Sequence, residues 1–114
     1  LTYRPYEALS YAYCSDTNYS ARLAKMVEGV DLLYHETTYA AAEKKLAKER
    51  GHSSTVDAAK VAKMANAERL LIGHFSSRYK DLEALCEECR EIFPLTEIAR
   101  ERETYCVEPK RQRL

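Results

Sequence analysis

The chain has 114 residues, the size of one ordinary domain, and 46% of them are hydrophobic, which is enough to form a core. Lysine plus arginine and aspartate plus glutamate number 18 each, so the formal net charge is zero. A neutral balance argues against a stand-alone nucleic-acid-binding module, whose surface is usually basic. It does not exclude a catalytic half whose RNA-binding surface lies elsewhere.

No apolar run approaches the roughly 18 residues of a membrane span, and no stretch resembles a signal peptide. We therefore expect no membrane association, a cytoplasmic location and reduced cysteines. The first residue is Leu1 rather than methionine, so we expect the chain to be part of something longer.

Short apolar runs alternate with helical patterns along the chain. The strands are expected at 8–13, 30–34 and 69–72, and the helices at 19–28, 39–50, from Ser54 onward and at 81–93. One or two edge strands are expected within 95–107, followed by a charged tail. This order predicts an α/β fold with a parallel or mixed sheet flanked by helices. Three strands make a small sheet with an unprotected edge, which hints at a missing partner half.

Two of the four cysteines, Cys86 and Cys89, form a C-x-x-C pattern, which is typical of zinc or redox sites when it lies in a loop. Here the pattern falls within a stripe of apolar residues at helical spacing. Free cysteine behaves as a small buried hydrophobe, so we favour two core-facing thiols over a zinc or redox site.

Histidine and carboxylate side chains follow the ends of the predicted strands. Asp16 comes after the first strand, His35 and Glu36 follow the second, and His74 directly follows the third. Because parallel strands meet at one carboxyl edge, where open α/β sheets hold ligands, these residues are expected to converge on a site. His52 lies where a helix begins, and free N–H groups there favour a phosphate.

Each of these residues also has an ordinary structural explanation. Asp16 could bridge two metal ions or could cap the following loop. His74 could be a hydrogen-bonded structural histidine, His52 could be incidental to the helix start, and His35 with Glu36 could form a polar turn. Their joint placement favours the functional interpretation.

Four stretches resemble, in order and spacing, the C-terminal half of ribonuclease Z, the tRNA 3′-processing endonuclease of the metallo-β-lactamase superfamily. They are Tyr13–Thr17, Gly29–Thr38, Gly51–Ser54 and Leu71–Tyr79. The resemblance covers about Tyr11 to Phe93, and its most specific part is Gly-His-Phe-Ser-Ser-Arg-Tyr. It implies that residues 1–114 are the C-terminal half of an αββα sandwich whose N-terminal half is absent from this chain.

The resemblance also implies metal and catalytic roles. Asp16 falls on the carboxylate that bridges two zinc ions, and His74 falls on a terminal ligand of one of them. His52 falls on the histidine that contacts the scissile phosphate, and Glu36 on the acid that orients this histidine. The implied reaction is phosphodiester hydrolysis in which zinc activates the attacking water, and His52 protonates the departing oxygen.

Further substrate-binding residues are expected next to these. Arg78 could hold a phosphate, although a solvated or structural arginine is an equal alternative, and His35 is placed with His52 in the substrate-binding set. Two departures from the family pattern, Thr37 for alanine and Ser54 for threonine, leave the histidine and the glutamate in place.

The family's remaining metal ligands and its tRNA-gripping arm come from the N-terminal half. Zinc usually takes three or four protein ligands, so the chain alone is expected to bind zinc weakly and to be inactive. The expected partners are the N-terminal half, precursor tRNA and, as the family suggests, a second copy in a homodimer. The alternatives are another metallo-β-lactamase hydrolase, such as a phosphodiesterase or arylsulfatase relative, and a non-catalytic half-domain acting in assembly.

Overall fold

The computed structural model describes residues 10–15 and 17–100. The strands are β1 (Tyr11–Cys14), β2 (Leu32–Glu36), β3 (Arg69–Gly73) and β4 (Thr96–Ile98). The helices are α1 (Ala21–Met26), α2 (Lys44–Glu49, preceded by a 3₁₀ turn at Ala41–Glu43), α3 (Thr55–Met64) and α4 (Leu82–Arg90). The predicted order is confirmed, and one of the expected edge strands is β4. The rest of that region beyond residue 100, including the charged tail and Cys106, lies outside the described residues.

The four strands form one sheet in the order β1-β2-β3-β4, and all three neighbouring pairs are parallel. Of the parallel and mixed alternatives, the described strands therefore form a parallel sheet. Each strand is followed in the chain by its neighbour in the sheet, and the crossover connections add the strands in one direction across the sheet. Because such crossovers are almost always right-handed, their helices must lie on one face of the sheet.

The core fills the space between that face and the helices. Small residues of α3 and its C-cap make close packing possible: Ala58, Val61, Ala62 and the C-cap residue Ala65 are all fully buried. Cys86 and Cys89 of α4 are also fully buried, as predicted. Burial raises the pKa of both thiols, so neither is a thiolate at neutral pH, unlike the cysteines of metal and redox sites.

The predicted capping signature at the start of α3 is confirmed. The Ser54 hydroxyl accepts a hydrogen bond from the Asp57 backbone N–H, and the Asp57 carboxylate accepts one from the Ser54 N–H. These reciprocal bonds satisfy the helix terminus and place a negative charge there. The expectation that this terminus offers free N–H groups to a phosphate beside His52 is therefore wrong.

The opposite face of the sheet carries aromatic residues and, among the described elements, no helix packs over it. Tyr11 and Tyr13 of β1 are 53% and 62% exposed. The Tyr13 ring stacks on that of Tyr34 in β2, with centroids 4.5 Å apart. Leu32, in register with Tyr11, and Leu71, in register with Tyr34, are almost fully buried.

Candidate active site

Glu36 is the last residue of β2, and its side chain is completely buried. The carboxylate accepts hydrogen bonds from the Thr17 N–H (2.7 Å), the Ser53 N–H (3.2 Å), the Thr38 hydroxyl (2.5 Å) and His52 Nδ1 (3.0 Å). Burial by itself raises the pKa of this carboxyl group. The hydrogen bonds lower it by more, so the pKa lies below its ordinary value and Glu36 is ionised at neutral pH.

His52 lies in the turn between α2 and α3, and its backbone N–H donates to the Ala47 carbonyl at 2.9 Å. An ionised carboxylate can only accept, so the proton in the bond to Glu36 belongs to His52 Nδ1. The His52 ring stacks on the His74 ring with centroids 5.5 Å apart and contacts the edge of Tyr39. Its side chain is 24% exposed, so a substrate can reach it.

His74 is the first residue after β3, as predicted, and its side chain is exposed at the carboxyl edge of the sheet. Its backbone has a φ of 59°, in the left-handed region. Histidine occupies this region more readily than most residues, yet the conformation still costs on the order of 1 kcal/mol. The loop is tied down because the Ser76 N–H donates to the Thr38 carbonyl at 3.0 Å. Backbone strain held in place by such contacts is typical of functional sites.

Glu36, His52 and His74 together form a compact group in which one potential ligand atom of each lies within 4.8 Å of the others. A carboxylate offers about four acceptor positions, and four donors already occupy those of Glu36. Glu36 therefore orients His52 rather than binding a metal. The imidazole of His74, which is exposed and hydrogen-bonded through Nδ1, fits a metal ligand of the zinc type.

Of the predicted site residues that the structure describes, His35 does not join this group. Asp16, the expected bridging carboxylate, lies outside the described residues. His35 is part of β2 rather than following it, and its side chain is fully buried on the helix-covered face, in register with Cys14 and Ile72. A side chain with no exposed surface cannot contact a substrate, so the prediction that His35 binds the substrate is wrong.

His35 is instead a buried neutral histidine. Burial lowers the pKa of its ring, and Nδ1 donates to the Glu36 carbonyl at 2.9 Å, while Nε2 has no hydrogen-bond partner among the described residues. The unfolded chain therefore binds a proton near pH 6.5 that the folded chain does not. Stability is lost as the pH falls through this value.

We expect urea unfolding, followed by circular dichroism, to show up to about 1.4 kcal/mol less stability at pH 5.5 than at pH 7.5 from His35 alone. His35→Gln removes this titration, so the pH dependence of its stability should be shallower than that of the wild type. His74→Gln, which removes an exposed histidine, serves as the control for the loss of a histidine. Parallel pH profiles for wild type and His35→Gln would contradict the assignment.

Arg78 is engaged by its neighbours rather than by the histidine group. Its guanidinium forms an ion pair with Glu43 at 2.5 Å and lies over the Tyr39 ring, 5.4 Å from the centroid. The Tyr79 hydroxyl also donates to Glu43 and accepts from the Ala40 N–H at 2.8 Å. These contacts hold the loop after β3 against the segment after β2. Arg78 therefore has the structural role that was the alternative to phosphate binding. A phosphate-binding role for Arg78 stays a prediction.

A groove of about 680 Å³ lies beside His52. Three lysines of α2, Lys44, Lys45 and Lys48, line it together with the histidine. Lys44 lies 3.8 Å from the Asp57 carboxylate, whereas no ion pair joins Lys45 or Lys48 to another described residue. Lysines therefore outnumber the one acidic residue of the described lining, Asp57, and the groove is basic.

Thr38 is the site residue that sequence reasoning missed. Its hydroxyl contacts Glu36, His52 and His74 at 2.5, 3.4 and 2.8 Å. The signal in the sequence was weak, since threonine is common after strands. Only the folded backbone shows that this hydroxyl lies between the carboxylate and both imidazoles.

No family model matches the chain, but individual known proteins are similar to it in sequence and in fold. Ribonuclease Z of Porphyromonas gingivalis strain W83 is 49% identical over 92 residues, covering 81% of this chain and 30% of that protein. Ribonuclease Z of Bacteroides thetaiotaomicron is 47% identical over 94 residues, covering 82% of this chain and 30% of that protein. The chain thus spans about a third of the length of these relatives.

Two solved structures share the fold. The metallo-β-lactamase fold protein YhfI of Bacillus subtilis superposes with a TM-score of 0.71 and 27% identity, over 76% of this chain and 35% of YhfI. The short form of human tRNase Z superposes with a TM-score of 0.58 and 32% identity, over 75% of this chain and 27% of that protein. The parallel sheet and its helices are therefore part of a metallo-β-lactamase fold.

Within that fold class, the chain is a homologue of part of ribonuclease Z. The recognition made from the four sequence stretches is confirmed. Among the described residues, no helix has the length and apolar character needed to cross a bilayer.

Proposed function

We propose that this chain is the C-terminal half of a zinc-dependent endoribonuclease that removes the 3′ trailer from precursor tRNA. The observation that carries the proposal is the Glu36–His52 pair, hydrogen-bonded at 3.0 Å and stacked beside His74. Support comes from relatives that are named ribonuclease Z and from a structural neighbour that is a tRNase Z.

The metal proposal rests on His74, with Asp16 as the second ligand from this chain. Zinc, when bound, activates water near neutral pH and stabilises the oxygens of an in-line displacement. Two ligands are fewer than zinc usually takes, so the remaining ligands belong to the N-terminal half.

The proton for the departing 3′ oxygen is assigned to His52. Its Nδ1–H is held by Glu36, so the proton that is transferred comes from Nε2. The hydrogen bond from Nδ1 to the Glu36 carboxylate fixes the ring plane. A general acid held in this way typically contributes 10²- to 10⁴-fold to the rate.

The exposed tyrosine face supports the proposal of a missing half. Tyr11 and Tyr13 lie on the side of the sheet where the described elements place no helix. Aromatic side chains of this size favour burial, and an αββα sandwich would cover them with its second sheet. As the family resemblance implies, we also propose that the complete protein is a homodimer and is cytoplasmic.

The basic groove supports an RNA substrate. Lys45 and Lys48 line the same groove as His52, so we expect them to contact neighbouring phosphates of a strand that is bound with one phosphate at His52. In the complete protein, meaning this chain together with its N-terminal half, we expect Lys45→Ala/Lys48→Ala to raise KM for precursor tRNA. The slope of log KM against log salt concentration should become shallower by about 1.4, the value for two lost contacts to a single strand.

Lys60→Ala/Lys63→Ala is the matched control, because it removes two exposed charges of the same sign from α3. It should leave the salt slope unchanged. Equal slopes for both double variants would contradict an RNA path through the groove, whereas cleavage itself would still support the proposed reaction.

The complete protein assayed on precursor tRNA and on cyclic nucleotides tests the proposal against the alternatives. Cleavage of the precursor at the trailer junction supports the endoribonuclease. Hydrolysis of cyclic nucleotides alone would favour a phosphodiesterase of the same fold, and no hydrolysis of either would favour an assembly role.

A further inference from the structure

Thr38 lies between Glu36, His52 and His74, and it is only 7% exposed. Its Oγ1 is 2.5 Å from Glu36 Oε2 and 2.8 Å from His74 Nδ1. We propose that Thr38 is a positioning residue that holds the ring proton of His74 on Nδ1 and so presents Nε2 of that ring to a metal ion.

The direction of these bonds follows from counting protons. Glu36 is ionised and can only accept, so the single hydroxyl proton of Thr38 is donated to it. The Thr38 oxygen then has only lone pairs to offer His74. The proton between Thr38 and His74 must therefore be carried by Nδ1 of the ring.

A neutral imidazole with its proton on Nδ1 has its lone pair on Nε2, the form that binds a metal. Metal-ligating histidines usually donate their other N–H to an oxygen, which fixes the tautomer and the ring orientation. Here the oxygen is held by two restraints: the hydroxyl is anchored to Glu36, and the Ser76–Thr38 backbone bond fixes the loop that carries His74.

One hydroxyl thus connects the residue that orients the proposed general acid with the proposed metal ligand. The metal-binding part of this inference rests on the proposed function, whereas the proton position on His74 does not. The two parts can therefore be tested separately.

Thr38→Val keeps the shape of the side chain and removes the hydroxyl, and Thr38→Ser keeps the hydroxyl. In the complete protein, we expect Thr38→Val to weaken zinc binding by about 10- to 100-fold, measured by competition with a chromophoric chelator. Thr38→Ser is expected to retain the wild-type affinity. Equal affinities for wild type and Thr38→Val, or an equal loss in both variants, would overturn the proposal.

Imidazole ¹⁵N spectra of the metal-free wild-type protein test the proton position without any variant. We expect His74 to show the Nδ1–H tautomer at neutral pH, and His74 with its proton on Nε2 would overturn the inference even if Thr38→Val failed to fold. If the wild type bound no zinc while His74 carried its proton on Nδ1, the metal proposal would fail and the role of Thr38 in fixing the tautomer would stand.

Discussion

His52→Ala in the complete protein is expected to lower kcat for precursor tRNA cleavage by about 10²- to 10⁴-fold, because the departing oxygen loses its proton donor. Glu36→Gln is expected to cause a loss of the same order, since the neutral amide no longer gives the His52 Nδ1–H the charge-assisted hydrogen bond that orients the ring. Lys25→Ala, an exposed residue of α1, is the control and should retain the wild-type rate. Single-turnover cleavage of a labelled precursor measures each rate.

A double variant sharpens this test. If Glu36 acts through His52, adding Glu36→Gln to His52→Ala should cost little further activity, because residues that act as a unit are not additive. Losses that multiply would contradict the pairing. Because Glu36 also accepts bonds from Thr17, Ser53 and Thr38, unfolding curves must show that each variant remains folded.

The chain by itself is expected to show no precursor cleavage and substoichiometric zinc. Adding the N-terminal half should restore turnover and about two zinc ions per complex. We expect this result because His74 and Asp16 supply only two ligands, which are too few to hold two zinc ions. Metal analysis after gel filtration, combined with the cleavage assay, measures both quantities.

His74→Ala in this chain is the informative control for reassembly. It should associate with the other half through the same sheet face and yet hold less zinc. Near-stoichiometric zinc or turnover by the isolated wild-type chain would contradict the division of the site between two halves.

The strand and helix order could be predicted because its determinants are local. Apolar runs gave the strands, and Ser54 with Asp57 marked the start of α3. The end of β2 was misplaced, since His35 and Glu36 are polar and look like a turn in sequence. They continue the strand because Cys14 and Ile72 flank His35 in the parallel ladder and bury it.

The grouping of Glu36, His52 and His74 was predicted from strand ends together with the family resemblance. The hydrogen bonds that organise the group could not be predicted, because they come from segments far apart in the chain. The Thr17 and Ser53 N–H groups are backbone donors without any sequence signature. The ion pair between Arg78 and Glu43 likewise depends on how two loops meet.

The single-sided crossovers have a consequence for how the two halves would join. An N-terminal half that packs on the tyrosine face would contact this chain through side chains. Separating the two halves would break none of the hydrogen bonds between β1, β2, β3 and β4. Separately purified halves would then combine as preformed surfaces, without strand exchange, so recovery of activity would follow second-order kinetics set by their concentrations.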